Sequence, residues 1–383
     1  MDVYLDNSST TFPKPKQVID SMYNYMLNIG GNSGRGNYTN SLQSNRLLYE
    51  ARETICDFFG FSLPSNVIFT NNITTSFNIL IKGLLKPGDH VITSSMEHNS
   101  VIRPLINCKE NLGIILDIIH ADKLGFINVD DLKSTITENT KLVILTQASN
   151  VTGSIQNISE IGKICSEKNV FFIVDSAQGA GVLEIDMNSI RANAIAFTGH
   201  KSLLGPQGTG GFIIDNKLNN YCNSILQGGT GSLSYSLDQP DFLPDKFECG
   251  TLNLPGIIGL TEGIKFINST GIKNIYKHNH SLMTHLLDGL LNINDLIVYG
   301  DTTGKNITTC VSINMKNLDA SELGYLLEEK GIKTRCGLHC APSAHKTIGT
   351  YPNGTVRLSL SYFNTKKEID YTLKILNNIA SNK

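Results

Sequence analysis

The stretch VFFIVDSAQGAGVLEIDMNSIRANAIAFTGHK, residues 170–201, decides the fold of this 383-residue chain. It holds two unbroken apolar runs of strand length, and each run ends in small or polar residues. Strands that are apolar on both faces are typical of a parallel sheet covered by helices on both sides. The ligands of such sheets gather at the carboxyl ends of the strands, which is where Asp175 and Lys201 lie. The stretch therefore predicts an α/β fold with a binding site along one edge of its sheet.

Five further apolar runs extend this pattern between about residue 66 and residue 215. They are VIFT, HVITSS, GIILDII, LVILTQ and GGFIID, and amphipathic segments such as TTSFNILIKGLL and ISEIGKICSEKN lie between several of them. Strands that alternate with helices indicate a sheet built from βαβ units. We expect a mostly parallel, seven-stranded sheet flanked by helices.

The chain is longer than a single hydrophobic core usually supports, so two domains are expected. From residue 262 onward, a long helix is followed by short strands such as LIVYG, TTCVSINMK and TVRLSLSYF, which is typical of an α+β unit. We predict a large α/β domain over residues 16–261. A smaller α+β C-terminal domain is predicted from residues 1–15 and 262–383 together.

The composition argues against several classes of protein. The net charge of −2 gives no reason to expect nucleic acid or an anionic membrane as a partner, and no window approaches the roughly 18 apolar residues of a membrane span. The first residues, MDVYLDNSSTT, lack the apolar segment of a secretory signal. The eight cysteines are scattered without a CxxC pair, so neither a structural metal site nor a disulfide scaffold is expected. We expect a cytoplasmic protein.

Lys201 and Asp175 together indicate a specific chemistry. A lysine that is partly desolvated at a strand end has a lowered pKa, and its amine can form a Schiff base. If the two strands are neighbours, Asp175 lies beside this lysine and can keep a pyridine nitrogen protonated, which suits pyridoxal phosphate. The alternatives are a surface lysine and an aspartate that only caps a helix or turn.

Three more predicted strands are followed by polar groups. In FTNNITTSFN, residues 69–78, a helix begins near Thr74, where free N–H groups, a helix dipole and hydroxyls form an anion site. His98 follows HVITSS and could stack on an aromatic ring, and Asn150 follows LVILTQ. Each has an ordinary alternative as a capping or loop residue. With Lys201 and Asp175 they place five polar groups at strand ends, which predicts a single site.

Four motifs resemble those of a known family. They are the GHK of Lys201, the VDSAQ of Asp175, FECGT and RCGLHCAP. In order and spacing they resemble class V, fold-type I pyridoxal-phosphate enzymes, and specifically the cysteine desulfurase and selenocysteine lyase family. The resemblance runs from YLDNSSTT at residues 4–11 to VRLSLSYFNT at residues 356–365.

The resemblance implies a site for the cofactor pyridoxal phosphate. Lys201 matches the lysine that bonds to the cofactor, and Asp175 matches the partner of its pyridine nitrogen. His98 matches the histidine that stacks on the ring and is a candidate for moving protons. Asn150 and Gln178 match hydrogen-bond donors around the ring oxygen. The implied phosphate cup comprises Ile73 through its backbone, Thr74, Thr198 and His200.

The resemblance also implies a substrate site and a second subunit. Arg357 matches the arginine that binds the substrate α-carboxylate, and a guanidinium fork is well suited to that group; the alternative is a surface arginine on an edge strand. Asn32, in the loop GGNSGRGN, matches an asparagine that helps to hold the carboxylate. Gly250 and Thr251 match a segment that reaches the cofactor phosphate of the neighbouring subunit, which implies a homodimer.

The stretch KTRCGLHCAPSAH, residues 333–345, contains the implied nucleophile. By the resemblance, Cys340 takes sulfur from the substrate and carries it as a persulfide. Nearby positive charge would favour the thiolate that this step needs. The basic residues near it in sequence are Arg335, His339, His345 and Lys346. A zinc site in this stretch and a disulfide between Cys336 and Cys340 are the alternatives, and Cys336 is otherwise expected to be a packed thiol.

The implied reaction converts L-cysteine to L-alanine and delivers the sulfur on Cys340 to an acceptor protein or a reductant. A lyase acting on L-selenocysteine, an aminotransferase on the same fold and a non-catalytic sulfur carrier are the alternatives.

Ser8 and Ser9 replace small residues of the family pattern DNAATT, and we expect them to be tolerated. The segment NNITT lacks a frequent glycine, so we expect the turn at Asn71 and Asn72 to use the tolerance of asparagine for left-handed backbone.

Overall fold

The computed structural model describes residues 1–34 and 36–381, which form three sheets packed against helices. The strands are β1 Val3–Tyr4, β2 Val67–Thr70, β3 His90–Ser94, β4 Ile115–Ile119, β5 Thr140–Thr146, β6 Phe171–Asp175, β7 Ala194–Thr198, β8 Gly210–Ile214, β9 Leu296–Tyr299, β10 Cys310–Met315, β11 Ile332–Lys333, β12 Arg335–Gly337 and β13 Thr355–Ser359. The α-helices are α1 Lys16–Asn24, α2 Thr39–Phe58, α3 Ile73–Leu84, α4 Asn99–Leu112, α5 Val129–Thr135, α6 Ile158–Glu167, α7 Asn216–Asn219, α8 Leu254–Thr270, α9 Ile272–Leu291, α10 Ala320–Glu328, α11 Pro342–Thr347 and α12 Lys366–Ser381.

Within the described residues, β2 to β8 form one large sheet in the order β2-β8-β7-β6-β5-β3-β4. β8 runs antiparallel to both of its neighbours, and the other strands run parallel to one another. The prediction of a mostly parallel, seven-stranded sheet flanked by helices is therefore confirmed. β6, β7 and β8 are buried along their whole length, which explains why their sequences do not alternate between apolar and polar residues.

Successive residues of the large sheet point to opposite faces and enter two separate cores. On β6, Phe172 and Val174 join a core that also contains side chains of α2, α6 and α8. Phe171 and Ile173 join the opposite core, with side chains of α3 and α4. Because helices cover both faces, polar side chains of the large sheet can gather only at the ends of its strands.

The C-terminal part of the chain forms a small antiparallel sheet in the order β12-β13-β10-β9. Its core contains side chains of α9, α10 and α12, together with Val3 and Leu5 from the N-terminal segment. β1 pairs in parallel with β11, with Val3 opposite Ile332. The predicted boundary between residues 261 and 262 falls inside α8, and the division into two domains stays a prediction. None of the helices in residues 1–34 and 36–381 is long and apolar enough to cross a membrane.

The segment before α3 packs closely against the end of β7. Thr70 and Thr198 both lie opposite Gly210 in the large sheet, and a Cβ on Gly210 would lie 2.9 Å from the Cα of Asn72.

Asn72 is extended, with φ −174°, and its side chain caps α3 by accepting the N–H of Thr75 at 3.0 Å. The φ of Asn71 is not positive either. The expectation of left-handed backbone in this turn is therefore wrong, because Asn72 acts as a helix cap instead.

Candidate active site

Asp175 and Lys201 lie at the ends of neighbouring strands, as the sequence predicts. β6 and β7 pair with Asp175 opposite Ala196, and Lys201 follows β7 by three residues. Burial raises the pKa of Asp175, although the backbone N–H of Ala177 and the charge of Lys201 oppose this. Burial lowers the pKa of Lys201 to about 8, against the opposing effect of Asp175. The pair therefore combines a buried acid with an amine that is more easily deprotonated than an ordinary lysine.

His98 caps α4 and is a neutral base. Its Nδ1 accepts the backbone N–H of Ser100 at 3.0 Å, so in the neutral ring the proton is on Nε2. Burial, together with the charges of Lys201, Arg335 and Arg357, lowers the pKa of His98 to about 3. The imidazole thus presents an N–H donor without adding positive charge to the site.

The predicted phosphate cup combines the first turn of α3 with the end of β7. Ile73 and Thr74 occupy the first turn of α3, where backbone N–H groups are free of helical partners. The hydroxyl of Thr198 and the Nδ1 of His200 are buried without a hydrogen-bond partner among the described residues. Burial, together with Lys201 and Lys14, lowers the pKa of His200 to about 4. Unpartnered buried polar atoms beside a helix N-terminus fit an anionic group.

Asn150 and Gln178 are buried, and their amides bond to the protein in this conformation. The Nδ2 of Asn150 donates to the carbonyl of His339 at 2.7 Å. The Nε2 of Gln178 donates to the carbonyl of Ser8 at 3.1 Å. These bonds attach the segments of His339 and Ser8 to the edge of the large sheet. The proposed contact of either amide with a cofactor ring oxygen stays a prediction.

Arg357 lies on β13, between β12 and β10, and only 1% of the residue is exposed. Its Nη1 donates to the carbonyl of Asn150 at 3.0 Å, and its Nη2 donates to Asp6 at 3.0 Å and to the hydroxyl of Ser9 at 2.8 Å. Its Nε has no partner among the described residues. The alternative of a surface arginine on an edge strand is therefore wrong, and the free Nε–H leaves capacity to bind a further anion.

Asn32 lies in the segment between α1 and α2. It is exposed and lines a groove that also contains Gly250 and Thr251. Thr251 lines a second groove with Asn71 and Thr75, at the beginning of α3. The contribution of Asn32 to a carboxylate site and the reach of Gly250 and Thr251 into a neighbouring subunit stay predictions.

Cys340 is an exposed thiol on a turn that is hydrogen-bonded to Asn99 and Asn150 at the edge of the large sheet. Its carbonyl accepts the backbone N–H of Asn99 at 2.7 Å, next to His98. His339 and Cys340 both have positive φ, 49° and 56°, in the left-handed region that non-glycine residues rarely adopt. The Nη2 of Arg335 lies 3.6 Å from the Cys340 Sγ. The turn thus holds the thiol beside one guanidinium.

The two histidines of this stretch do not supply positive charge. The Nε2 of His339 donates to the carbonyl of Arg335 at 3.1 Å, so its Nδ1 accepts from the Nε2 of His345 at 3.2 Å. The Nδ1 of His345 then accepts from the hydroxyl of Thr350 at 2.7 Å. Burial lowers the pKa of His339 to about 2 and that of His345 to about 4. Both rings are neutral, and they support the turn by hydrogen bonds.

The side chains of Lys346 and Cys336 contact other parts of the protein. The Lys346 ammonium lies 5.0 Å from the centre of the Tyr351 ring. Cys336 packs against the core of the small sheet, and burial raises its pKa. Cys336 and Cys340 are both free thiols, so the disulfide alternative is not formed. Among residues 1–34 and 36–381, no cluster of three His, Cys, Asp or Glu side chains is arranged to hold a metal ion.

Sequence reasoning missed three residues near the site. Asp6 is the counter-ion of Arg357, and it lies in the quoted motif YLDNSSTT. Lys14 donates to the carbonyl of His200 at 2.7 Å, and burial lowers its pKa to about 8. Glu97 is fully buried next to His98, and burial raises its pKa to about 8. The sequence could have indicated Asp6 and Glu97, because each is an acidic residue among mainly small and polar neighbours.

Comparison with known proteins identifies the class of protein. The family Aminotransferase class-V matches residues 3–372, and the chain belongs to this family. Within it, the chain is 36% identical to a "Probable cysteine desulfurase" of Methanothermobacter thermautotrophicus, over 99% of this chain and 94% of that protein. It is 29% identical to a "Cysteine desulfurase" of Haloferax volcanii, over 96% of this chain and 87% of that protein.

A solved structure shows the same relationship. An apo structure of the cysteine desulfurase of Thermococcus onnurineus superposes with a TM-score of 0.95 at 32% identity, over all of this chain and 95% of that one. The resemblance to the cysteine desulfurases that the motifs indicated is therefore confirmed, and the fold is that of these fold-type I proteins.

The buried histidines predict a loss of stability in acid. Above pH 6.5 His339 and His345 are neutral in the folded and the unfolded chain, whereas below it only the unfolded chain binds protons at them. At pH 5.5 each should lower the free energy of unfolding by about 1 kcal/mol. Urea unfolding at pH 7.5 and 5.5 measures this decline, which we expect to be about 1 kcal/mol smaller in His345→Asn. His120 is exposed, and His120→Asn should keep the full decline. An equal decline in wild type and His345→Asn would contradict the burial argument.

Proposed function

We propose that this chain is a pyridoxal-phosphate-dependent cysteine desulfurase that takes the sulfur of L-cysteine onto Cys340 and releases L-alanine. The observation that carries the proposal is the position of Cys340. Its turn is hydrogen-bonded through Asn99 and Asn150 to the edge of the large sheet where Lys201 and Asp175 lie. The full-length similarity to proteins named cysteine desulfurase supports it.

The residues at the sheet edge fit pyridoxal phosphate. Thr198 and His200 present buried polar atoms without partners among the described residues. The strand end that carries Thr198 lies close to Asn72, where α3 begins, which suits a phosphate. Asp175 is a buried acid that can hold a proton on a pyridine nitrogen, and Lys201 is the amine that would bond to the cofactor. When bound, the cofactor supplies an electron sink that stabilises negative charge at the substrate Cα.

Each remaining group has a defined task in this proposal. Arg357 binds the substrate carboxylate through donors that include its free Nε–H. Lys201, with a pKa lowered to about 8, has a neutral fraction near pH 7 that can take the Cα proton. His98 offers its Nε2–H to the reacting groups while remaining uncharged. The Nη2 of Arg335 places positive charge 3.6 Å from the Sγ of Cys340, where the substrate sulfur is received.

The sulfur step is balanced without an external oxidant. The Cys340 thiolate attacks the substrate sulfur, forming an S–S bond as the substrate C–S bond breaks. The substrate carbon keeps the electron pair of the C–S bond, takes a proton and leaves as alanine. The enzyme is left with a persulfide on Cys340, which an acceptor protein or a thiol reductant then removes. The acceptor protein and the cytoplasmic location stay predictions.

Two cysteines of the same stretch provide a matched test. With L-cysteine and dithiothreitol, Cys340→Ala should lose alanine and sulfide production by at least about a hundredfold, because the sulfur has no acceptor. Cys336→Ala should keep activity close to that of the wild type, because Cys336 packs in the small-sheet core. Alanine release that survives in Cys340→Ala would contradict the proposal. If the Cys340→Ser variant is inactive on L-cysteine but active on L-selenocysteine, the result would instead support a second activity, that of a selenocysteine lyase.

We also propose a homodimer. Among the described residues from 19 to 49, seven large apolar side chains are each more than half exposed. These are Ile19, Tyr23, Met26, Leu27, Tyr38, Leu42 and Tyr49. Exposed apolar surface of this kind marks interaction surfaces in water-soluble proteins, and the protruding loop of Tyr235 and Leu237 adds to it. Sedimentation equilibrium at micromolar concentration should give twice the chain mass of 41.9 kDa, and a monomer would contradict this proposal.

A further inference from the structure

One hydroxyl lies between the two arginines of the site. The Oγ of Ser9 accepts from the Nη1 of Arg335 at 2.9 Å and from the Nη2 of Arg357 at 2.8 Å. It donates its proton to Asp6 at 2.7 Å. A serine hydroxyl has one donor and two acceptor positions, so these three bonds use its full capacity. Ser9 is therefore a fixed link between both guanidiniums and Asp6, the counter-ion of Arg357.

Arg335 is held at both ends of its guanidinium. Its Nη1 is bound by Ser9, and its Nη2 lies 3.6 Å from the Sγ of Cys340. Arg335 also lies directly opposite Arg357 in the pairing of β12 with β13. Two like charges on neighbouring strands repel each other; burial lowers the pKa of Arg357, and the charge of Arg335 acts in the same direction. Without the Ser9 hydroxyl as an acceptor between the two guanidiniums, this repulsion would favour conformations in which the Arg335 side chain turns towards solvent.

We propose that Ser9 is a positioning residue that holds the Arg335 guanidinium at the sulfur of Cys340. Through the same hydroxyl, Ser9 joins the nucleophile to the arginine that binds the substrate carboxylate, a consequence that rests on the proposed function. An alanine at this position could make none of the three bonds. Ser8 is the matched control: it is the adjacent residue, it is buried whereas Ser9 is half-buried, and its hydroxyl bonds to neither arginine in the described part of the chain.

The charge near the sulfur can be measured without turnover. Iodoacetate and iodoacetamide alkylate the same thiolate, but iodoacetate is an anion and reacts faster when a cation is close to the sulfur. Both rates are proportional to the thiolate fraction, so this fraction cancels in the ratio of the two rate constants. The ratio therefore reports the positive charge near the Cys340 sulfur. The rates are followed at pH 7 on the peptide that contains Cys340, by mass spectrometry, because other cysteines of the chain are free thiols.

Ser9→Ala should lower the iodoacetate to iodoacetamide ratio at Cys340 about two- to fivefold, the range expected for one exposed charge contact. Ser9→Thr keeps the hydroxyl and should restore the ratio towards that of the wild type, whereas Ser8→Ala should leave it unchanged. An unchanged ratio in Ser9→Ala, or an equal drop in Ser8→Ala, would overturn the inference.

This test is independent of the desulfurase proposal. Alkylation needs neither cofactor nor substrate, so an unchanged ratio in an enzyme that makes alanine from L-cysteine overturns only the role of Ser9. A lowered ratio in a protein that makes no alanine supports the role of Ser9 and contradicts the proposed function.

Discussion

The buried charge of Arg357 is the constraint around which the site is organised. Among the described residues it is the largest side chain that is fully buried, and a buried guanidinium is tolerated only when its charge and donors are compensated. The compensation comes from two distant segments: Asp6 and Ser9 of the N-terminal segment, and the carbonyl of Asn150 after β5. Satisfying one arginine on β13 therefore brings together the N-terminal segment, the large sheet and the small sheet.

In the same site the buried histidines are neutral, and the positive charge is carried by other side chains. Burial keeps His98, His339 and His345 neutral, so their ring nitrogens act as fixed donors and acceptors. Positive charge at the exposed thiol of Cys340 comes from Arg335. The electrostatics of the proposed sulfur step thus depend on one arginine, while the histidines fix the shape of the turn that carries the thiol.

The large sheet and its polar edge could be predicted because buried parallel strands leave a direct signature, an unbroken apolar run followed by a polar residue. The contacts of Arg357 with Asp6 and Ser9 could not, because about 350 residues of chain separate the partners, and no local pattern records such a contact. The neutral state of His339 and His345 depends on burial, which sequence does not show. The role of Asn32 at a carboxylate site rests on resemblance alone and stays a prediction; the structure shows that Asn32 lines a groove with Gly250 and Thr251. Asn72 was misassigned because asparagine serves both as a helix cap and in left-handed turns.

The central claim, that Cys340 receives the substrate sulfur, is tested most directly by mass spectrometry. Holoenzyme is mixed with L-cysteine without reductant, trapped with an alkylating reagent and digested. The account predicts that the Cys340 thiol gains the mass of one sulfur atom, that Cys336 does not, and that one alanine is released for each sulfur bound. Stoichiometric alanine release with no added sulfur on Cys340 would contradict it.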